Sequence, residues 1–330
     1  MTLPGLDLER LRAYLGTGPL TGRVLGGGKS NLTYLVTDGT DEWVLRRPPL
    51  GHVLDTAHDM SREFTVMRAL AGSSVPVPRM VSLCTDDSVL GAPFYLMEHV
   101  PGTVLRDPAL LEKLGADRLR SLVLATVDVL AALHAVDPTV VGLADFGRPR
   151  GFNERQVRRW RRQLDDSHSR EVPGIDELHR RLAGDVPEGR DATVLHGDFR
   201  LDNMLVDTDG LAVRVVLDWE MSTLGDPLTD LGLLVMYSMP LGLTGSPVST
   251  TATAAGHPEP AELIERYAAR SGRDVSAVAW YAPPVTSVPI TRIPASSTSR
   301  TRPRSASSRP GGATRMCASP ITARTRASSQ

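Results

Sequence analysis

The stretch that decides the fold is residues 193–220, with the sequence TVLHGDFRLDNMLVDTDGLAVRVVLDWE. His196, Asp198 and Asn203 stand at the spacing His-x-Asp-x-x-x-x-Asn. Asp218 follows after a second apolar run. Apolar residues separated by turn residues predict three short strands, at 194–195, 204–206 and 213–217. The last two strands would form a hairpin that brings Asn203 and Asp218 side by side.

These four polar residues have the spacing of a kinase catalytic loop and its second metal-binding carboxylate. Phosphoryl transfer needs a carboxylate to receive the proton of the acceptor hydroxyl, which predicts Asp198 as the catalytic base. Mg²⁺ takes oxygen ligands, and Asn203 and Asp218 can supply them. His196 is interpreted as a scaffold residue. The alternative is a buried hairpin whose Asp and Asn residues only cap turns, and four positions at this spacing outweigh it.

A glycine-rich segment, GGGKSN at 26–31, follows a predicted strand at 20–25. It is not a Walker A motif, because Arg23 stands where that motif needs its first glycine and a strand follows at 32–37. Kinases cover ATP phosphates with such a strand–turn–strand unit, and a merely flexible turn is the alternative. The candidate nucleotide-binding residues here are Gly26, Gly27, Gly28 and Ser30.

The next predicted strand, at 43–46, ends in Arg46, where kinases place a phosphate-binding lysine. Arginine and lysine are not interchangeable at a tight site, because arginine carries a planar fork of donors. A helix is predicted at 60–70, and on it Glu63 is placed to pair with Arg46. A solvated helix surface is the alternative for Glu63.

The segment 98–102, Glu-His-Val-Pro-Gly, resembles the hinge of a kinase, where backbone groups pair with adenine. This interpretation assigns Glu98 and Val100 to the nucleotide site, and a plain Pro-Gly turn is the alternative. The predicted organisation is an N-lobe at 1–98, a hinge at 99–103, a C-lobe at 104–280 and a tail at 281–330.

The C-lobe is predicted to be mainly helical. The periodicity of apolar residues predicts a core helix at 119–136, on which His134 is a satisfied core or surface residue. A helix at 153–164 would present an arginine-rich face that an anionic acceptor could meet, or that is simply solvated. Asp226 is the predicted N-cap of the helix after Asp218, and the carboxylates of that helix are interpreted as structural. Further helices are predicted at 260–271 and 275–280.

Composition limits the partners. Residues 281–330 contain eight arginines and no acidic residue, so the total net charge of −1 leaves −9 on residues 1–280. An acidic folded part argues against a nucleic-acid partner. Cys84 and Cys317 are the only cysteines, and no apolar run has the length of a membrane span. The sequence therefore predicts a soluble, cytoplasmic protein with no membrane partner.

The tail at 281–330 is dominated by Ser, Thr, Pro, Arg and Ala and shows neither helical nor strand periodicity. Such a composition predicts disorder. It is what a GC-rich gene read out of frame would encode, so we hypothesise a frameshift near Trp280; a genuine basic tail is the alternative. With a frameshift, an exposed apolar surface is expected around residues 231–239.

From about residue 23 to 270 the sequence resembles the aminoglycoside phosphotransferase and choline kinase-like family. It is most similar to the phosphotransferase domains that occur alone in bacteria or fused to acyl-CoA dehydrogenases. The motifs are VLRRPP at 44–49, the arginine-rich segment 153–164, HGDFRLDN at 196–203 and LDWEMSTLGDPLTDL at 217–231. The resemblance implies an α+β, protein-kinase-like fold with two lobes: an antiparallel sheet plus helix, then a mainly helical lobe with the catalytic hairpin. It implies ATP and Mg²⁺ as cofactors, Asp198 as base, Asn203 and Asp218 as metal ligands, and a small-molecule hydroxyl as acceptor.

The fusion to acyl-CoA dehydrogenases suggests a hydroxy acid or a hydroxyacyl-CoA as acceptor. An aminoglycoside antibiotic or choline is the alternative, although cationic acceptors favour an acidic pocket. An inactive nucleotide-binding pseudokinase is the alternative from another class. The intact Asp198, Asn203 and Asp218 argue against it.

Overall fold

An antiparallel sheet with helices packed on its two faces forms the N-terminal part of the protein. The computed structural model describes residues 3–25, 31–50, 59–167, 171–189, 192–240 and 251–282. The sheet has the strand order β1-β2-β3-β5-β4. Its elements in chain order are α1 (Leu8–Leu15), β1 (Thr21–Val24), β2 (Leu32–Thr37), β3 (Glu42–Arg47), α2 (Met60–Leu70), β4 (Met80–Cys84), α3 (Asp87–Leu90) and β5 (Phe94–Glu98).

The sheet is apolar on both faces because successive side chains of a strand point to opposite sides. One face packs with α1 in a cluster that includes Leu11, Leu15, Tyr34, Val36 and Leu45. The other face packs with α2 and joins the main core, which includes Leu35, Val44, Phe64 and Met67. Helix α2 is therefore held between the sheet and the rest of the protein.

The C-terminal part is mainly helical and carries two small antiparallel strand pairs, β6 with β9 and β7 with β8. Helix α5 is its central helix, with buried residues along its length that pack with α9. The elements are α4 (Pro108–Leu114), α5 (Ala116–Ala135), α6 (Phe152–Ser167), α7 (Ile175–Gly184), β6 (Thr193–Leu195), β7 (Met204–Asp207), β8 (Ala212–Val216), β9 (Thr223–Gly225), α8 (Leu228–Tyr237), α9 (Pro260–Ser271) and α10 (Val278–Tyr281).

The α+β class and the order of sheet and helices predicted from the sequence are confirmed. The Asp86 side chain accepts the Ser88 N–H and begins the short helix α3 between β4 and β5. The glycine-rich residues 26–30 and the tail beyond residue 282 lie outside the described residues, and the lobe boundaries stay predictions. Among the described helices, none is long and apolar enough to cross a membrane.

Helix α8 is covered by other helices. The expectation of an exposed apolar surface around residues 231–239 is therefore wrong. Leu231, Leu234 and Val235 are buried. Helices α9 and α10 pack against α8, and Gly232 permits the approach of α10, because a Cβ atom there would lie 2.6 Å from the Cβ atom of Tyr281. Helix α10 ends at Tyr281, one residue past the predicted boundary at 280.

Candidate active site

A buried carboxylate holds the backbone of the loop that follows β6. Asp230 of α8 accepts the N–H of His196 at 2.7 Å and the N–H of Gly197 at 2.8 Å. His134 Nε2 lies 3.3 Å from the same carboxylate, and His134 Nδ1 lies 2.6 Å from the Tyr267 hydroxyl. Burial lowers the pKa of His134, so the ring is neutral. Asp230 and His134 therefore have the structural roles predicted for them.

His196 joins the loop to the strand before Asp218. Its Nε2 donates to the Leu217 carbonyl at 2.9 Å, and its Nδ1 accepts the Asp198 N–H at 3.2 Å. One nitrogen donates and the other accepts, as in a neutral imidazole. The His196 ring also packs on Trp219, with 4.6 Å between the ring centroids. These contacts fit the predicted scaffold role.

Three side chains hold the Asp198 carboxylate. The Tyr237 hydroxyl donates to Oδ1 at 2.8 Å. Asn203 Nδ2 and Arg200 Nε donate to Oδ2 at 2.8 and 3.2 Å. Asn203 Nδ2 also donates to the Asp198 carbonyl at 2.9 Å, so both of its hydrogens are used on Asp198. The amide oxygen of Asn203 is therefore the atom left to bind a cation.

The predicted hairpin β7–β8 is present, and it brings Asn203 and Asp218 to the same end. The Leu217 N–H donates to the Asn203 carbonyl at 2.9 Å, directly before Asp218. Asp218 has a φ of 68°, which is unusual for a residue other than glycine and is characteristic of functional sites that store backbone strain. Its Oδ1 lies 2.5 Å from Arg46 Nη2.

Arg46 lies between two carboxylates, because its Nε also lies 3.4 Å from Glu63 Oε2. The predicted pair between β3 and α2 is thus present, and Tyr95 adds a hydrogen bond to Glu63 at 2.6 Å. Burial lowers the pKa of Arg46, but Tyr95, Glu63 and Asp218 together outweigh burial and raise it above its ordinary value. Arg46 therefore stays a cation beside Asp218.

An oxygen-rich cluster surrounds this cation. Glu63, Asp218 and Glu220 each offer a carboxylate oxygen, and these atoms lie within 4.8 Å of one another. Asn31, the last residue of the glycine-rich segment of the sequence, donates from Nδ2 to Glu63 at 3.3 Å and to Glu220 at 3.5 Å. Burial and the charge of Asp218 raise the pKa of Glu220 to about 7. A donor set of carboxylate and amide oxygens is the kind that Mg²⁺ prefers, so the residues present fit this ion.

Arg62 ties α2 to the segment that follows Asp218. Its guanidinium donates to the Ser222 carbonyl from Nε at 3.0 Å and from Nη2 at 2.8 Å. Nη2 also donates to the Phe146 carbonyl at 2.9 Å, and the guanidinium carbon lies 4.1 Å from the centroid of the Phe146 ring. The helix that carries Glu63 is thereby fixed to the part of the protein that carries Asp218.

Arg62→Ala is expected to lower the free energy of unfolding by about 2 kcal/mol, because charge-assisted hydrogen bonds are lost. It should also weaken MgATP binding, since α2 then holds Glu63 and Arg46 less firmly. Thermal unfolding and calorimetric titration with MgATP measure the two effects. Arg68→Ala, at an exposed position on the same helix, is the control. An Arg62→Ala protein that matched the control in both measurements would contradict the role of this contact.

The predicted hinge begins where β5 ends. The Glu98 N–H donates to the Arg79 carbonyl at 2.9 Å, and the Glu98 side chain accepts the Arg79 N–H at 2.8 Å. The side chain of Glu98 is thus turned to β4, and only its backbone carbonyl could serve adenine. Within the described part of the chain, the Val100 N–H has no hydrogen-bond acceptor. The backbone of Glu98 and Val100 is therefore compatible with the predicted role.

The model of the phosphotransferase enzyme family matches residues 21–281 of this chain. The chain belongs to that family. It is 39% identical over 234 residues to acyl-CoA dehydrogenase family member 10 of Mus musculus, covering 70% of this chain and 22% of that protein. It is 36% identical over 273 residues to family member 11 of Homo sapiens, covering 79% of this chain and 35% of that protein. The chain thus spans about a third or less of these relatives.

Solved structures show the same fold for this phosphotransferase. A Ralstonia eutropha JMP134 protein described as an aminoglycoside phosphotransferase has a TM-score of 0.72 and 34% identity, with 83% of this chain and 84% of that chain covered. The GDP and kanamycin complex of APH(2″)-IIIa has a TM-score of 0.60 at 18% identity, with 83% and 85% covered. The streptomycin–ATP complex of APH(2″)-IIa has a TM-score of 0.57 at 18% identity, with 85% and 86% covered. The predicted kinase-like fold and family are confirmed.

The arginine-rich helix of this phosphotransferase is α6. Asn153 at its start donates to the Asp226 carboxylate at 3.4 Å and to the Tyr281 hydroxyl at 2.8 Å, which joins α6 to the start of α8 and to α10. Arg161 pairs with Asp165 and Asp176. The exposed members of the helix include Arg158, Arg159, Trp160 and Arg162. In the part of the chain that the structure describes, no hydrogen bond or ion pair joins these arginines to Asp198 or Asp218.

Several residues of the site were not predicted. Arg200 lies inside the motif HGDFRLDN at 196–203, and its position two residues after Asp198 was the signal available for it. Glu220 likewise stands two residues after Asp218. Tyr237 and Arg62 lie on helices distant in sequence, and no local pattern marks them.

Proposed function

We propose that this protein transfers the γ-phosphoryl group of ATP to a hydroxyl group of a small molecule, with Asp198 as the general base. The support is geometric. The Asp198 carboxylate accepts a hydrogen bond from Asn203, and the side-chain oxygen of Asn203 remains available to a metal ion. Asp218 lies at the same end of the β7–β8 hairpin as Asn203. Membership of the phosphotransferase enzyme family supports the same reaction.

In the proposed reaction, the acceptor hydroxyl gives its proton to Asp198. A bond forms between the acceptor oxygen and the γ-phosphorus, the bond from that phosphorus to the bridging oxygen breaks, and ADP leaves. Asn203 and Arg200 keep the carboxylate oriented during the transfer. Mg²⁺, held by Asn203 Oδ1 and the Asp218 carboxylate, would neutralise phosphate charge.

The nucleotide is assigned to the cleft between the sheet and the helical part. Arg46 would contact the phosphates, and Glu63 would hold Arg46 in place, as the ion pair between the two side chains suggests. The backbone of Glu98 and Val100 would meet adenine. The glycine-rich residues Gly26, Gly27, Gly28 and Ser30 would cover the phosphates, as proposed from the sequence. The nucleotide complexes among the solved neighbours support ATP as the donor. A cytoplasmic location would give the protein access to ATP.

The acceptor is proposed to be a hydroxy acid or a hydroxyacyl-CoA. The relatives carry the name acyl-CoA dehydrogenase, so a phosphotransferase segment in one chain with such an enzyme would act on related molecules. The exposed arginines of α6 could meet an anionic acceptor. Aminoglycosides, the ligands of several solved neighbours, are the second candidate class.

ATP consumption across a panel of hydroxy acids, hydroxyacyl-CoAs, aminoglycosides and choline tests the proposal. Turnover should depend on one acceptor class and on Mg²⁺, and Asp198→Asn should lower it by at least about 10²-fold. MgATP binding without turnover on any acceptor would instead identify a pseudokinase.

A further inference from the structure

We infer that Arg46 and a metal ion compete for the Asp218 carboxylate, and that the phosphates of a nucleotide decide this competition in favour of the metal. This inference rests on the proposed function, since it takes Asp218 as a metal ligand and ATP as the phosphoryl donor. It gives Arg46 a second role beside the contact with phosphate. The charge of its guanidinium makes metal binding depend on nucleotide.

The contact between Arg46 and Asp218 involves an atom that a metal ion would need. Arg46 Nη2 lies 2.5 Å from Asp218 Oδ1. Mg²⁺ binds oxygen at about 2.1 Å, so an ion on Oδ1 would lie at most about 5 Å from Nη2. The Arg46 side chain is only 11% exposed, so water screens the repulsion between two such cations poorly. The contact and a bound ion are therefore alternatives.

Neither a shift of β3 nor the loss of a proton can easily remove Arg46 from Asp218. Strand β3 lies inside the sheet, where Arg46 stands opposite Thr33 of β2 and Tyr95 of β5. The guanidinium also stays protonated, because burial, which lowers its pKa, is outweighed by Tyr95, Glu63 and Asp218. The guanidinium therefore leaves Asp218 by rotation of its side chain towards another anion.

Nucleotide phosphates can be that anion. Arg46 Nε lies 3.4 Å from Glu63 Oε2, which also accepts the Tyr95 hydroxyl at 2.6 Å. Glu63 can thus keep one edge of the guanidinium while Nη2 turns from Asp218 to a phosphate oxygen, an acceptor that arginine binds through charge-assisted hydrogen bonds. Mg²⁺ is usually held by one or two carboxylates plus substrate phosphates, so the same phosphates add ligands for the ion.

The consequence is a reciprocal coupling between metal and nucleotide. A ligand that raises the affinity for a second ligand has its own affinity raised by the same factor. An ion that binds without nucleotide meets the charge of Arg46 beside Asp218. With nucleotide, that charge faces the phosphates. We therefore expect the charge of Arg46 to carry the coupling.

Binding of Mn²⁺ without nucleotide tests this competition. Mn²⁺ takes oxygen ligands as Mg²⁺ does, and electron paramagnetic resonance reports the free ion. We expect Arg46→Met to bind Mn²⁺ at least about 10-fold more tightly than the parent protein, because a nearby like charge is removed. Arg46→Lys keeps the charge and should bind Mn²⁺ like the parent. Arg46→Gln, whose amide can donate to Glu63, gives the same test if the Met variant does not fold.

Arg47→Met is the matched control. Arg47 follows Arg46 on β3 and points to the opposite face of the sheet, where it donates to the Gly5 carbonyl and, at 2.9 Å, to the Leu90 carbonyl. The same chemical change there should leave the Mn²⁺ affinity at the parent value, even where the unfolding temperature falls. Affinity for MgATP gives a second contrast. Arg46→Met should weaken it at least about 10-fold, because the phosphates lose a charged hydrogen-bond donor.

These outcomes separate the inference from the proposed function. Equal Mn²⁺ affinities for Arg46→Met and Arg47→Met would overturn the inference, and the test of the reaction by Asp198→Asn would be unaffected. The gain in Mn²⁺ affinity should disappear in the double variant Arg46→Met/Asp218→Ala. A gain that persisted there would place the ion on another group and would also overturn the inference. A protein that phosphorylated no acceptor of the panel but showed the gain would refute the proposed function and support the competition at Asp218.

Discussion

Asp198→Asn is expected to lower kcat by at least about 10²-fold and to leave the Kd of MgATP nearly unchanged, because it removes the proton acceptor and keeps the metal ligands. The fold should tolerate the change. The new amide oxygen can accept the hydrogen bonds from Asn203 and Arg200, and the new NH₂ group can donate to the Tyr237 oxygen. Steady-state kinetics and calorimetry measure the two quantities.

Asp209→Asn is the control for this variant. Asp209 lies in the turn of the β7–β8 hairpin with its side chain 97% exposed, so the same chemical change there should affect neither quantity. An Asp198→Asn protein that turned over at the rate of the Asp209→Asn protein would rule out Asp198 as the base.

Asp218→Ala is expected to lower kcat/KM for MgATP by at least about 10²-fold, because the site loses a carboxylate that holds the metal against the phosphates. The loss should depend on Mg²⁺. Arg46 loses its contact at 2.5 Å but keeps Glu63, so the pair between β3 and α2 should survive. Titrations of ATP with and without Mg²⁺ measure the effect.

Asp209→Ala serves as the control for side-chain truncation in the same hairpin. If calorimetry showed the same MgATP affinity for Asp218→Ala as for this control, the metal would have to be assigned to another carboxylate. Glu220 would then be the first candidate, since its oxygen lies within 4.8 Å of that of Asp218.

The part of the site that could be predicted is the part that is contiguous in sequence. His196, Asp198 and Asn203 lie within eight residues, and the β7–β8 hairpin returns the chain to Asp218. The spacing of residues in one loop and one hairpin determines where they meet. The roles assigned to Asp198, Asn203 and Asp218 stay predictions, although their neighbours in the structure are those that the roles need.

The contacts from distant helices could not be predicted, because they depend on how helices pack. Asp230 and Tyr237 have no local pattern that separates them from other polar residues of a helix. Their partners are set by how α8 packs on the loop that follows β6. The interaction of Arg62 with the Ser222 carbonyl is likewise a tertiary contact, across 160 residues of chain. The pair between Arg46 and Glu63 could be predicted only because the order of strand and helix in kinases is known.

Helix α8 contacts the loop that follows β6 from both of its ends. Asp230 near its start fixes the backbone of the loop, and Tyr237 at its end holds the side chain of Asp198. Both contacts come from one helix, so a displacement of α8 would reach the backbone and the side chain of this loop together. Helix α10 packs on α8 at Gly232, so a force applied to the chain after Tyr281 is transmitted to the helix that carries these supports. The turnover rate should accordingly respond to a load at residue 282 more than to the same load at β1.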